Sequence, residues 1–217
     1  MWQTYLACNN DMVIKEAKSS NRHDIEKTLL TALPKTYYKD VKQPTIIDRS
    51  KYWMGNVNFE MASTYITTHP KMVVTIRPLE DVVKSLLNLK TLEGKQQFIE
   101  DGLFELNTNP LMIGLQTLHE LVTTRKESKD YLLVNYNDLV DNPKQVLSDV
   151  YSFYEIESYN HDFNNINSAI SDDTIYGVKD LHKIDSKIVK KSKKDIKLSS
   201  FTLEQIKSIQ QQIKVKW

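Results

Sequence analysis

Arg77 and Ser85 are two residues whose types and spacing could do chemistry together. Arg77 closes the run Met72-Val-Val-Thr-Ile-Arg77, and Pro78 follows it directly. Proline disfavours helical backbone at the residue before it, so Arg77 is expected to be extended at the end of a short strand. Eight residues further on, Ser85 falls on a helix predicted over 79–89, with Val82, Val83, Leu86 and Leu87 inward. A guanidinium is permanently charged and binds phosphate oxygens through parallel hydrogen bonds, and a hydroxyl can join it there. The chemistry would be the holding of one phosphate. The competing reading is a surface ion pair of Arg77 with Glu80 or Asp81, worth about 0–1 kcal/mol.

Several elements must position this pair. A helix is predicted over 22–33, with Ile25, Leu29 and Leu30 on one face and Pro34 as its stop. Thr45-Ile-Ile-Asp48-Arg49 reads as a β run, and 58–67 as a helix. A longer helix covers 110–126, opened by Pro110. Tyr131-Leu-Leu-Val-Asn-Tyr136 is the clearest strand, running into Asn137-Asp138-Leu139. Asn142-Pro143 then opens a helix carrying Val146, Leu147, Val150, Tyr151 and Tyr154. Thr202-Leu-Glu-Gln205 has the capping-box pattern, ahead of Ile206, Ile209 and Ile213 at helical spacing. Short strands separated by helices predict an α/β fold with a mainly parallel sheet flanked by helices. Ligands in such sheets bind beyond the carboxyl ends of the strands, which here are Asp48/Arg49, Arg77 and Tyr136/Asp138.

Composition narrows the function classes. The 217 residues are expected to form a single domain, 1–217, and the formal charge of +1 argues against a nucleic-acid binder. Five glycines, none at GxGxxG or GxxxxGK(S/T) spacing, exclude a glycine-rich phosphate cradle of either kind in this sequence. Cys8 is alone, so no disulfide framework or CxxC metal site is expected, and His23 and His161 lack partners at metal-ligand spacing. No apolar run approaches the ~20 residues of a membrane helix, and the first residues lack a signal-peptide pattern. The expectation is a soluble, cytoplasmic protein with no membrane partner and no metal.

The segment from His69 through Arg77 and Asp81 to Ser85 resembles the phosphate-binding core of the sulfotransferases. The Arg-to-Asp and Arg-to-Ser spacings match, and the proline directly follows Arg77, one place early. A second block, Tyr131 to Pro143, is similar to that family's "YEDL…P" strand-to-helix signature, with Asn137 in place of the glutamate. The resemblance implies that Arg77 and Ser85 hold the 3′-phosphate of PAPS (3′-phosphoadenosine-5′-phosphosulfate), and that Tyr136 lies by the adenine. It extends more loosely to Asp48-Arg49-Ser-Lys51, where Arg49 or Lys51 would help neutralise the phosphosulfate, and to His182 and Lys183 in a late loop. Each of these basic positions has a plainer reading as a solvated strand end or loop. Lys187, Lys190, Lys191, Lys193, Lys194 and Lys197 occupy the place of the family's late basic loop, but without its arginine and glycine, and read better as a solvated charge run.

The implied architecture is P-loop-like, and the implied activity is sulfuryl transfer from PAPS to a hydroxyl or amine acceptor. The family's PRSG(T/S)T-type loop, which binds the 5′-phosphosulfate through backbone N–H groups, has no counterpart in the sequence, so the first βα unit is expected to be absent. A catalytic base is not assigned, with Asp48 and Glu60 as the candidates. The alternative is a non-catalytic nucleotide-binding or interaction domain that keeps the fold. A nucleotide-kinase relative fits less well, because the P-loop and its lysine are missing.

Overall fold

Met72–Ile76 form strand β1 and Tyr131–Asn135 form strand β2. They pair in parallel, with Met72 opposite Tyr131 and Ile76 opposite Asn135. The computed structural model describes residues 25–48, 51–93, 100–105, 109–126, 128–167, 185–188 and 196–217. Among these the sheet has two strands. The chain divides into two compact units, Met1–Pro70 and Lys71–Trp217.

The first unit contains helix α1 (Ile25–Tyr37), a 3₁₀ turn (Lys51–Met54) and helix α2 (Asn56–Tyr65). Among its described residues Leu30, Phe59, Met61 and Ala62 are the buried apolar ones. Two expectations fail here. Pro34 does not stop α1 but lies inside it, and its carbonyl accepts the Tyr38 amide at 3.0 Å. A proline beyond the first turn lacks the amide that would bond the carbonyl four residues back and crowds that carbonyl with its ring, so α1 carries this cost rather than ending at it. The β run at Thr45–Asp48 is irregular, with Ile46 and Ile47 47% and 68% exposed. β-Branched residues favour strands only where a ladder partner and a buried face are present.

In the second unit β1 is followed by α3 (Leu79–Glu93), a 3₁₀ turn (Glu100–Gly102) and α4 (Pro110–Thr124), which returns the chain to β2. After β2 come α5 (Tyr136–Asp141), α6 (Pro143–Tyr154) and α7 (Ser200–Gln212). A parallel pair requires such a crossover. β1 buries Met72, Val74 and Ile76 and exposes Thr75, the alternation of a strand with one covered face. In α3, Leu79 and Val83 are almost fully buried, which stabilises by about 1.5–3 kcal/mol each. The Glu80–Lys84 pair on the same helix, at 2.6 Å, adds only ~0.3–0.5 kcal/mol, so the apolar face sets where α3 lies. α3 packs against α7, whose Thr202, Ile206 and Ile209 are buried.

Caps fix the helix ends. Asn109 opens α4, accepting the Leu111 amide at 2.9 Å and donating to the Gly102 carbonyl at 3.1 Å. Lys71, just before β1, donates to the Phe153 carbonyl at 2.8 Å and to the Glu155 carboxylate at 2.7 Å, tying the end of α6 to the start of the strand. Glu155 holds a left-handed backbone, φ 57°, in a Schellman cap, with its amide on Ser152 and that of Ile156 on Tyr151.

The capping box expected at Thr202–Gln205 is displaced. Ser199 is the cap of α7, accepting the Thr202 amide at 3.2 Å, and Thr202 lies fully buried inside the first turn. Glu100 supports this cap from a distance by accepting the Ser199 amide at 2.7 Å. Hydrogen bonds from Ser199 and Thr202 hold its carboxyl below the usual value of 4.5. A carboxyl depressed in the folded state stabilises fully above its unfolded value, and that contribution is lost as pH falls through the lower folded value. Glu100→Gln is therefore expected to lower Tm by about 1–3 °C at pH 7. The deficit should vanish well below pH 4.5 in thermal unfolding curves, and a gap that persists in acid would refute the assignment.

Candidate functional site

The parallel register carries one residue past the ladder. Ile76 lies opposite Asn135, so the next residues, Arg77 and Tyr136, emerge side by side at the carboxyl ends of the strands. The Arg77 guanidinium carbon sits 4.9 Å from the centroid of the Tyr136 ring, a cation–π contact. Arg77 Nε is buried and has no hydrogen-bond partner. Glu80, one of the two carboxylates offered by the competing reading, is taken by Lys84 at 2.6 Å. Among the described residues Arg77 makes no ion pair. Stacking on the ring returns about 0.5–2 kcal/mol, while a buried donor left without an acceptor costs about 1–3 kcal/mol. The unmet Nε therefore carries an uncompensated cost in this structure.

Tyr136 is placed by its predecessor. Asn135 caps α5, its Oδ1 accepting the amides of Asn137 at 2.9 Å and Asp138 at 3.4 Å, so the strand turns into helix at the tyrosine. Ser85 lies half-buried about two turns into α3. Lys51 belongs to the 3₁₀ turn of the first unit, and Arg49, His182 and Lys183 lie outside the described residues. In the same unit Asp48 accepts the Tyr38 hydroxyl at 3.3 Å. Burial, and then the Asp48 charge, raise the Tyr38 phenol above its usual value. Glu60 is exposed on α2. Of the late lysines, Lys187 and Lys197 are exposed, and Lys190, Lys191, Lys193 and Lys194 lie outside the described residues.

Three features escaped the sequence reading. Asn135 is one, although an asparagine ahead of Tyr-Asn-Asp is an N-cap signal that could have been used. Lys216 is the second: its Nζ lies 2.8 Å from Asp138 Oδ2, and its carbonyl accepts from Asn135 Nδ2 at 3.2 Å. No local pattern connects residues so far apart in sequence. His161 is the third, with its Nε2 2.8 Å from the Tyr151 hydroxyl and its ring stacked on Tyr151 and Phe163. No group of three or more potential metal ligands converges among the described residues. No described helix is long and apolar enough to cross a membrane.

A family model described as "Sulfotransferase domain" matches residues 57–217, a stretch that contains both strands, Arg77, Ser85 and Tyr136. Among solved structures the chain is similar to the "Sulfotransferase Domain from the Curacin Biosynthetic Pathway", with a TM-score of 0.56 and 15% identity over 99% of this chain and 78% of that one. At that identity the likeness speaks for the fold. No curated protein matches the chain.

The ring under Arg77 can be tested directly. Tyr136→Leu is expected to lower stability by about 1 kcal/mol, and Tyr136→Phe, which keeps the ring, by much less. Urea midpoints measure both, and equal losses would mean that the ring contributes nothing to holding the guanidinium.

Proposed function

The chain belongs to the sulfotransferase domain family, and from that premise we propose that it moves a sulfuryl group from PAPS to a hydroxyl or amine acceptor. The observation that carries the nucleotide half of this reading is the buried, unpartnered Nε of Arg77 beside the Tyr136 ring. An orphaned guanidinium donor at the carboxyl end of a parallel pair suits a phosphate oxygen in charge and in place. Arg77 and the Ser85 hydroxyl would hold the 3′-phosphate, and the Tyr136 ring would lie by the adenine. Arg49, Lys51, His182 and Lys183 are the proposed cations for the rest of the nucleotide.

When bound, the donor supplies the activated sulfuryl group. The protein's part is to fix that donor, orient the acceptor in line, offset charge on the departing phosphate and take the acceptor's proton. Asp48 and Glu60 are the carboxylates proposed for the proton. We read residues 1–217 as one sulfotransferase-like domain, since the family match begins at residue 57 and runs across the division at Pro70. The proposed compartment is the cytoplasm, with no nucleic acid, membrane or metal as partner.

Calorimetric titration with adenosine 3′,5′-bisphosphate, the desulfated product, tests the site. Arg77→Ala should weaken binding at least tenfold, the loss of about 1.4 kcal/mol or more from a charge-assisted phosphate contact. Equal affinity of wild type and variant would sink the assignment. Transfer from labelled PAPS to a panel of alcohols and amines then separates the enzyme from a binding domain, which would take up the nucleotide without turnover.

A further inference from the structure

The chain beyond α7 does not leave the molecule. Ile213 is buried, the Val215 amide returns to its carbonyl at 2.9 Å, and Trp217 Nε1 donates to the same carbonyl at 3.3 Å. This turn brings Lys216 against the carboxyl end of β2. There it makes two contacts that bracket Tyr136. Its carbonyl accepts from Asn135 Nδ2, one residue before the tyrosine, at 3.2 Å. Its ammonium meets Asp138 Oδ2, two residues after it, at 2.8 Å. The Asn135 carboxamide is thereby used at both ends, since its Oδ1 is the cap that starts α5 at Tyr136.

We propose that residues 213–217 form a latch, in which Lys216 and Asp138 are positioning residues that hold Tyr136, and through it Arg77, in the geometry that receives the nucleotide. This rests on the reading of Arg77 and Tyr136 as a nucleotide site. Stability alone does not account for the contacts. The Lys216 and Asp138 side chains are 78% and 52% exposed, and exposed pairs contribute about 0–1 kcal/mol. α7 is already anchored by burial of Thr202, Ile206, Ile209 and Ile213. What the two polar contacts add is direction: they fix the first turn of a six-residue helix that begins with the tyrosine.

A direct role for the Lys216 cation on the nucleotide is the rival account, and charge separates the two. Freeing Lys216 by Asp138→Asn makes the surroundings more positive, so a direct cation would bind an anionic nucleotide as well or better. The latch requires weaker binding. Titration with adenosine 3′,5′-bisphosphate at low salt should show Asp138→Asn and Lys216→Met each weaker by about two- to fivefold. The double variant should be no worse than either single, and Lys216→Arg should restore affinity. Unchanged or tighter binding by Asp138→Asn overturns the latch.

Arg77→Ala, titrated alongside, identifies which reading has failed. If that variant is also unaffected, the nucleotide site itself is wrong. Fluorotyrosine placed at position 136 gives a readout that needs no ligand. Its fluorine resonance should shift in Asp138→Asn and Lys216→Met and return in Lys216→Arg. A resonance indifferent to all three variants overturns the latch whatever the titration shows.

Discussion

A guanidinium that is stacked on a ring but denied an acceptor at Nε is the constraint on which the rest of the site depends. Its position follows from backbone pairing, since the parallel register of β1 and β2 ends at Ile76 and Asn135 and hands over to Arg77 and Tyr136. Slipping that register by one residue would turn every side chain of a strand to the opposite face, burying Thr75 and exposing Val74. The apolar alternation of β1 therefore protects the register, and the register places the arginine. The ladder, the asparagine cap and the cation–π contact form one chain of cause from packing to a donor with no partner.

That chain explains what could be read from the sequence. The place of Arg77 between a strand and a helix was legible because Pro78 disfavours helical backbone before it and an apolar helical pattern follows. The place of Tyr136 at a strand end was legible because an apolar run ends there. Both signals are local. The failures were equally physical. Thr45–Arg49 had the composition of a strand, but strand formation needs a ladder partner that composition does not report, and Thr45–Asp48 is irregular. Pro34 looked like a stop, yet α1 continues through it despite the lost amide bond and the crowding of the carbonyl four residues back. Thr202 looked like a cap, yet a Ser199 hydroxyl three residues earlier satisfies its amide, with Glu100 reaching in from another turn.

Contacts distant in sequence could not be read at all. Lys71 and Glu155, Glu100 and Ser199, and Asn135 and Lys216 join segments whose spacing carries no periodic signal. These contacts help to close the second unit around the strand pair. The glycine shortage belongs with them. A left-handed helix end is usually given to glycine, yet in this chain Glu155 takes that conformation at a cost of roughly 1–2 kcal/mol. Its carboxylate in return meets Lys71, which a glycine could not do.

The two ends of β1 differ in a way that supports the proposed role of Arg77. At each end a cation lies over an aromatic ring, Lys71 over Phe153 at 5.6 Å and Arg77 over Tyr136 at 4.9 Å. The chain length, contact type and helix-joining role are alike. They differ in what happens to the remaining donors. The Lys71 ammonium reaches a carbonyl and a carboxylate, so its hydrogen bonds close within the protein and it works as a cap. Arg77 Nε meets neither, although burial makes an unmet donor expensive. The asymmetry puts closed hydrogen bonds at the amino end of the strand and an unmet donor at its carboxyl end. Parallel sheets generally bind ligands beyond that end, and it is this contrast that supports the proposed role of Arg77.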